Sequence, residues 1–250
     1  MFRIYKMRDD HVLDHAASEL KKYIRMMMPD AGNPVISRNS KATDDFRLGL
    51  LEDFGIPFEG KDARLDDVIH VDADINGGIL AGSNPRSVLF AVYRFLRENG
   101  CRWLYPGIDG DYVPMKELEP VKYHKMASNR FRGFCNEGTE SQKVMIEIAD
   151  YYAKLEMNVY MLEFFIPASY YNRYYNHAFN EGNRQPEPVS RQQIFQWKRQ
   201  CESEIAKRGL MFHDIGHGWT AKPFGIYQLT PPGSKNTVAD FNVPPEIVDC

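Results

Sequence analysis

The chain lacks a long apolar run and has few cysteines among its 250 residues. A membrane-spanning helix needs about 18 or more consecutive apolar residues, and no stretch of this sequence approaches that length. The first ten residues, Met1–Asp10, also lack the apolar stretch and the small-residue cleavage site of a secretory signal. The sequence therefore predicts a cytoplasmic protein with no membrane partner.

The sequence also has no excess of positive charge. Its 31 Lys and Arg residues stand against 34 Asp and Glu residues, which gives a formal net charge of −3. Such a chain has no general field to attract a polyanion, so nucleic acid is not an expected partner. The four cysteines, at 101, 135, 201 and 250, form no C-x-x-C pair and predict neither a disulfide framework nor a zinc ribbon. No metal and no cofactor is predicted.

The first part of the chain has the pattern of a small α+β domain. Phe2–Lys6 alternates like a strand, and an apolar stripe after Asp10 predicts a helix. Asp67–Val71 and Gly78–Ala81 are predicted strands joined by an Asn-Gly turn. The strongest helix signal starts at Asn84, with a proline at the first helical position. We predict an accessory domain over residues 1–125.

Residues 126–250 have the pattern of repeated strand–helix units. Apolar strands are predicted at Phe131–Phe134, Met157–Leu162 and Leu210–His213, each followed by a helix or a connection to one. This alternation favours parallel pairing with helices covering the sheet. A (β/α)8 barrel needs about 250 residues, and about half that number follow Asn129. The predicted fold is therefore α/β: a small α+β domain followed by the first three or so units of an incomplete TIM-type barrel.

Two segments carry a resemblance to known families. Leu80–Pro106 resembles part of the accessory domain that precedes the barrel in α-glucuronidases, β-hexosaminidases and related bacterial glycoside hydrolases. Phe131–Gly133 and Gly209–His217 resemble the first and third barrel strands of family 20 hexosaminidases. There an arginine of an Arg–Gly pair holds sugar hydroxyls, and the third strand ends in a Gly–His pair at the sugar pocket. The resemblance implies O-glycosyl hydrolysis, with Arg132 and His217 as sugar contacts.

The resemblance also implies that this chain is not catalytically complete. In the resembled families the acid and base carboxylates lie beyond the third strand. The chain is therefore expected to be the amino-terminal portion of a larger enzyme, with a carboxyl-terminal barrel half missing, and its catalytic residues remain unassigned. The alternative function is a non-catalytic carbohydrate-binding or interaction module. Carbohydrate is the expected partner in both cases.

Candidate substrate-binding residues lie where the predicted parallel strands end, because loops open outward there. Arg132 either binds sugar or forms an internal ion pair with Glu137 or Glu163. His213 and His217 form a pocket wall, a sugar contact or, less favoured, a metal site. Trp219 is either a stacking platform or a loop anchor, and Glu137 with Glu163 could form a carboxylate pair. The candidates are Arg132, Glu137, Glu163, His213, His217 and Trp219.

A long connection follows the second predicted strand of this part, at Phe164–Val189. Its length exceeds the usual loop between a strand and a helix, and such loops are often functional. The aromatic and basic stretch Tyr170–His177 within it is interpreted as a solvated insertion or as a lid over a sugar site. Binding of single-stranded nucleic acid is the least favoured alternative.

Overall fold

A computed structural model describes residues 2–37, 45–136, 142–164 and 190–217. These residues form a mixed α/β structure with one mostly parallel sheet, a second fully parallel sheet and four α-helices. Among the helices so described, none combines the length and the apolar character that crossing a membrane requires.

The described residues of the first part include eight strands and two α-helices. The strands are β1 (Arg3–Lys6), β2 (Val35–Ser37), β3 (Phe46–Leu50), β4 (Val68–Asp74), β5 (Gly77–Gly82), β6 (Arg102–Trp103), β7 (Asp111–Tyr112) and β8 (Val121–Met126), and the helices are α1 (His11–Met27) and α2 (Pro85–Glu98). The second part contains β9 (Cys135–Asn136), α3 (Gln142–Lys154), β10 (Val159–Phe164), α4 (Arg191–Lys207) and β11 (Met211–His217).

The larger sheet has six strands in the order β2-β1-β3-β5-β4-β8. Strands β1, β2, β3 and β5 run parallel, whereas β4 is antiparallel to both β5 and β8. The predicted Asn-Gly turn joins β4 to β5, with Asp74 opposite Gly77. Strands β2, β3 and β8 were not predicted, although β3 and β8 alternate apolar and polar residues in the way a half-buried strand does.

The helix ends follow the local signals in the sequence. The Asp10 carboxylate accepts hydrogen bonds from amides in the first turn of α1, and the helix ends before Pro29. The Asn84 side chain caps α2, which has Pro85 at its first position. Gly100 follows α2 with a φ of 98°, a left-handed conformation that glycine adopts without steric cost. The predicted helix after Asp10 and the predicted helix start at Asn84 with Pro85 are thus confirmed.

The smaller sheet has the order β11-β10-β9, with all three strands parallel. Helix α3 connects β9 to β10, and α4 lies between β10 and β11 along the chain. The predicted parallel strand–helix pattern is thus present, as an open sheet within the described residues. The strand predicted at Phe131–Phe134 is wrong, because pairing with β10 begins only at Cys135. Before that, the Arg132 carbonyl accepts hydrogen bonds from the amides of both Asn158 and Val159.

One continuous apolar core crosses residue 125, the predicted domain boundary. Tyr23, Phe90 and Tyr93 from the first part are fully buried in the same cluster as Tyr152 and Tyr160 from the second. Helices of the two parts contact each other, α1 with α4 and α2 with α3. The division into residues 1–125 and 126–250 stays a prediction, but the two parts share a core.

Buried ion pairs also join the two parts. The Lys154 ammonium at the end of α3 lies 3.0 Å from an Asp111 carboxylate oxygen and 2.8 Å from one of Asp150. Asp111 accepts a further hydrogen bond from the Tyr23 hydroxyl at 2.6 Å. Burial acts to lower the pKa of Lys154, but the two carboxylates outweigh it and leave that pKa raised. Lys154 is therefore held as a cation inside the structure.

Candidate functional site

The carboxyl ends of β9, β10 and β11 form one edge of the smaller sheet. Met161 of β10 is in register with Cys135 on one side and His213 on the other. Neighbouring strands are about 4.8 Å apart, so these three residues lie side by side. Tyr160 and Phe212, one position removed, pack into the core shared with the helices. Since strand side chains alternate, Cys135, Met161 and His213 lie on the opposite face.

Two polar atoms near this edge are buried without a hydrogen-bond partner in the described part of the chain, His213 Nδ1 and Asn136 Nδ2. The other polar atom of the Asn136 side chain, Oδ1, accepts from the Tyr152 hydroxyl at 3.1 Å. The imidazole of His213 lies near the Phe131 ring, with 6.3 Å between centroids. Asn136 is in register with Leu162, on the face that packs against the helices, whereas His213 lies on the opposite face with Met161. A buried polar group without a partner costs free energy, so His213 Nδ1 is the hydrogen-bonding capacity available on that opposite face.

Burial raises the pKa of Tyr152 to about 12, although its hydrogen bond to Asn136 acts in the opposite direction. The phenol therefore stays protonated at neutral pH and donates to the amide oxygen. Because the Tyr152 hydroxyl occupies Oδ1 of Asn136, it is the Nδ2 end of this side chain that lacks a partner in the described structure.

The predicted site positions that the structure describes divide between two places. In the backbone, Glu163 lies in β10, and His217 lies in β11 opposite Phe164, so both belong to the same strand edge as His213. Glu137, Trp219 and the stretch 170–177 lie outside the described residues.

Arg132 lies at the other end of the sheet. It precedes β9 by three positions, about 10 Å of extended chain, and is level with the amino end of β10. Its guanidinium donates to an Asp67 carboxylate oxygen at 2.7 Å and to the carbonyls of Asn129 and Glu156 at 2.7 and 2.9 Å. An internal ion pair of Arg132 is thus present, with Asp67 as its partner. The predicted sugar contact of Arg132 stays a prediction.

Asp67 is the centre of a buried network that the sequence did not reveal. Its side chain has no exposed surface. Oδ2 accepts from Arg132 and from the Asn158 amide, each at 2.7 Å. Oδ1 accepts from the start of α2: from Asn84 at 3.0 Å, from Arg86 at 2.8 Å and from Ser87 at 2.8 Å. Asp67 therefore ties α2 of the first part to the amino end of β10 in the second.

The charge state of Asp67 follows from these contacts. Burial acts to raise the pKa of this carboxyl group, because the charged form loses solvation. The Arg86 guanidinium and the hydrogen bonds from Arg86, Asn84 and Arg132 outweigh burial and leave the pKa below its usual value. Asp67 is an ionised carboxylate with both of its oxygens engaged, which is the arrangement of a structural ion pair.

A cavity of about 330 Å³ lies at the junction between the two parts. Its lining includes Tyr123, Lys125, Met126, Glu156 and Met157. Glu156 has a φ of 61°, a left-handed conformation, and follows the end of α3. Its carboxylate is held at 2.7 Å by a guanidinium of α2, that of Arg94, which stacks 4.6 Å from the Tyr123 ring. The cavity is thus walled by both parts of the chain.

Two of the cysteines, Cys101 and Cys201, are buried in the apolar core, whereas Cys135 in β9 is exposed. Burial raises the pKa of the Cys101 and Cys201 thiols to about 12, which makes them unreactive at neutral pH. Within the ranges that the structure describes, no group of three or more His, Cys, Asp or Glu side chains could hold a metal ion.

No family model matches the chain, and no curated protein matches it either. Among solved structures, the fold is similar to that of a GH138 enzyme targeting pectin rhamnogalacturonan II. The TM-score is 0.50 and the identity 13%, over 92% of this chain and 27% of that chain. CpGH84D is also similar, with a TM-score of 0.43 and 12% identity over 84% of this chain and 33% of that chain.

The chain thus spans between a quarter and a third of the length of these solved structures. At such low identity the match to the GH138 enzyme shows a glycoside-hydrolase-like fold, and it shows the fold alone. The particular accessory-domain and barrel types named in the sequence analysis remain predictions.

Proposed function

We propose that this chain forms part of a glycoside hydrolase, with the carboxyl edge of β9, β10 and β11 as one wall of a carbohydrate site. The accessory domain would comprise residues 1–125, and residues 126–250 would open a (β/α)8 catalytic barrel. Glu137, Glu163, His213, His217 and Trp219 are the proposed substrate-facing residues. Arg132 would position the first strand through Asp67 and not touch the sugar, since its guanidinium is engaged at the amino end.

The observation that carries this proposal is the parallel order β11-β10-β9 with a fold similar to that of a glycoside hydrolase. In barrels of parallel strands, substrate binds where the strands end, because the connecting loops open there. The face with Met161 and His213 is only partly buried within the described residues. The unpartnered ring nitrogen of His213 lies on this face and offers sugar hydroxyls a hydrogen-bonding partner.

Methionine methyl groups provide a direct test. Met161 lies in β10 at the proposed wall and Met211 at the amino end of β11, whereas Met126 and Met157 line the junction cavity. The chain would be labelled with 13C at the methionine methyls and titrated with uronic acid oligosaccharides, N-acetylhexosamines and rhamnogalacturonan II fragments. We expect a shift of the Met161 signal at millimolar sugar, whereas the Met211 signal should move little. Assignment uses one Met→Leu variant for each signal.

A second candidate function, a non-catalytic carbohydrate-binding module, rests on the junction cavity. Its volume of about 330 Å³ is within the range of small-ligand pockets, and it presents the Lys125 side chain beside apolar groups. Shifts confined to Met126 and Met157 would favour this module. Absence of sugar-dependent shifts at all four methionines would contradict both functions.

A histidine substitution distinguishes sugar binding at the proposed wall from non-specific effects of sugar on the methionine signals. His213→Ala should abolish most of the sugar-dependent shift of Met161, because it removes the neighbouring ring at the proposed wall. His11→Ala, at an exposed position of α1, is the matched control and should leave the titration unchanged. Equal titrations for both variants would place the binding elsewhere.

A further inference from the structure

Two histidines face each other across the last two strands of the six-stranded sheet. His70 of β4 is in register with His124 of the edge strand β8. Their Nδ1 atoms are 3.1 Å apart, and their rings are inclined by 66° with 5.3 Å between centroids. His124 is exposed and His70 is half-buried, so the pair is open to solvent from one side.

The separation of the two nitrogens matches the spacing of two ligands on one metal ion. Imidazole nitrogens bind zinc at about 2.0 to 2.1 Å. Two nitrogens 3.1 Å apart then subtend an angle of about 98° at a shared ion. This angle lies between the right angle of square-planar or octahedral sites and the tetrahedral angle. An ion can therefore bind both atoms with little movement of the backbone.

The surroundings of the pair favour a bound cation. Alternate positions of β4 place Asp72 and Asp74 on the same face as His70, and the only described ion pair of Asp72 is with Lys122 at 3.6 Å. Two carboxylates and one ammonium leave this strip of the sheet with a negative balance.

We propose that His70 and His124 together chelate a divalent transition-metal ion through their Nδ1 atoms. Imidazole ligands suit Zn²⁺, Ni²⁺ and Cu²⁺, with Cu²⁺ bound most tightly. In the metal-free pair one neutral ring carries its proton on Nδ1 and the other on Nε2. On binding, the first ring exchanges its Nδ1 proton through solvent for one on Nε2, so both Nδ1 lone pairs bind the ion and no net proton is released. Water or an external ligand completes the coordination. The ion fastens the edge strand β8, which leads into the second part of the chain, to β4.

The first test is a Zn²⁺ titration of the metal-free chain by calorimetry, with single and double variants. We expect one equivalent to bind to the wild-type chain. His70→Ala and His124→Ala should each weaken binding at least tenfold, because either change leaves a single ligand. The double variant should be little weaker than either single one, since chelation is already lost. His11→Ala is the control and should bind as the wild type does.

The second test locates the ion and does not depend on affinity. Cu²⁺ is paramagnetic and broadens nearby NMR signals. Met126 lies two positions beyond His124 in the same strand, whereas Met161 and Met211 belong to the other sheet. Broadening of the Met126 methyl alone, lost in His124→Ala, supports the site. Unchanged broadening or unchanged Zn²⁺ affinity in the double variant would overturn it, provided its urea unfolding midpoint remains near that of the wild type.

Discussion

The buried Asp67 carboxylate at the junction is fully hydrogen-bonded, whereas near His213 at the strand edge some buried polar groups lack a partner within the described residues. At the junction every carboxylate oxygen of Asp67 is occupied, and its partners Arg86, Arg132 and Asn158 come from both parts of the chain. At the edge, His213 Nδ1 and Asn136 Nδ2 are buried without a partner among the described residues. Both regions contain residues that looked functional in the sequence.

This difference distinguishes residues that stabilise the structure from residues that have a free hydrogen-bonding atom for a ligand. A satisfied buried network adds rigidity, and removing one member leaves the others unpaired. A buried polar atom without a partner costs free energy and calls for an explanation such as a bound ligand. By this criterion Arg132 belongs to the framework, and the strand edge has capacity for a ligand. The junction cavity shares that capacity, since Glu156 Oε1 and Arg94 Nε on its lining are also buried without a hydrogen-bond partner among the described residues.

The largest expected effect comes from Asp67→Asn. The substitution keeps the shape but removes the charge, which leaves the buried Arg86 guanidinium without its carboxylate. Breaking a buried ion pair in this way costs about 3 to 5 kcal/mol of unfolding free energy. Urea denaturation would measure it, with Asp62→Asn at a solvent-exposed pair as the control. A loss below about 1 kcal/mol would show that Asp67 is not central to the stability of the junction.

The second prediction concerns His15, which also has an unpartnered polar atom but lies outside the proposed ligand site. Its Nε2 atom is buried without a partner in the described structure, yet it lies in α1, away from the strand edge. Burial, together with the positive charges of Arg208 and Lys207, lowers the pKa of His15 to about 3. The folded state therefore disfavours protonation, whereas the unfolded chain takes up a proton near pH 6.5.

The stability contributed by neutral His15 is complete above pH 6.5 and declines as the pH falls towards 3. Between about pH 6.5 and pH 4 the loss should be about 3 kcal/mol. Between pH 6.5 and pH 4 the measured unfolding free energy of the wild type should fall by about 3 kcal/mol more than that of His15→Leu. His11→Gln should keep the wild-type slope. Parallel curves for His15→Leu and wild type would contradict the assignment.

Arg132→Met should have an intermediate effect. It removes one charged donor from Asp67, but Arg86 and Asn158 remain, so the expected cost is about 2 kcal/mol. If Arg132 positions the strand, sugar-dependent shifts of Met161 should persist in this variant. Arg64→Met, which alters an exposed arginine, is the control for stability. Loss of the sugar response without loss of stability would instead make Arg132 a direct sugar contact.

His213→Ala should have the smallest effect on stability, within about 1 kcal/mol, because it removes a polar atom that has no partner to lose. Its effect should appear in the sugar titration alone. Thermal or urea unfolding measures the first quantity, and the methionine methyl signals measure the second. A loss of stability as large as that of Asp67→Asn would show that His213 is as important for folding as Asp67 is.

Much of the fold was predictable where the signal is local. Asp10, Asn84 and Pro85 mark helix starts within a few residues, so their positions could be predicted from neighbouring residues alone. The parallel strands of the second part followed from continuous apolar runs separated by helices. The start of β9 was misplaced because its pairing is set by Asn158, which is 26 residues away from Arg132 in the sequence.

The contacts that matter most were not predictable because they depend on register and distance. The sequence showed that Arg132 needed a carboxylate, but Asp67, its partner, is 65 residues away. The His70–His124 pair likewise arises only when β4 and β8 adopt their particular register. A shift of one residue would place the two rings on opposite faces of the sheet.

The apolar cluster that crosses residue 125 has a mechanical consequence. Helices α1 and α2 of the first part pack against α3 and α4 of the second, with Tyr93 and Tyr152 inside the same cluster. A hinge between the parts would have to separate these helices and expose aromatic surface to water. We therefore expect the two parts to move as one rigid unit, so that the first part fixes the position of the strand edge.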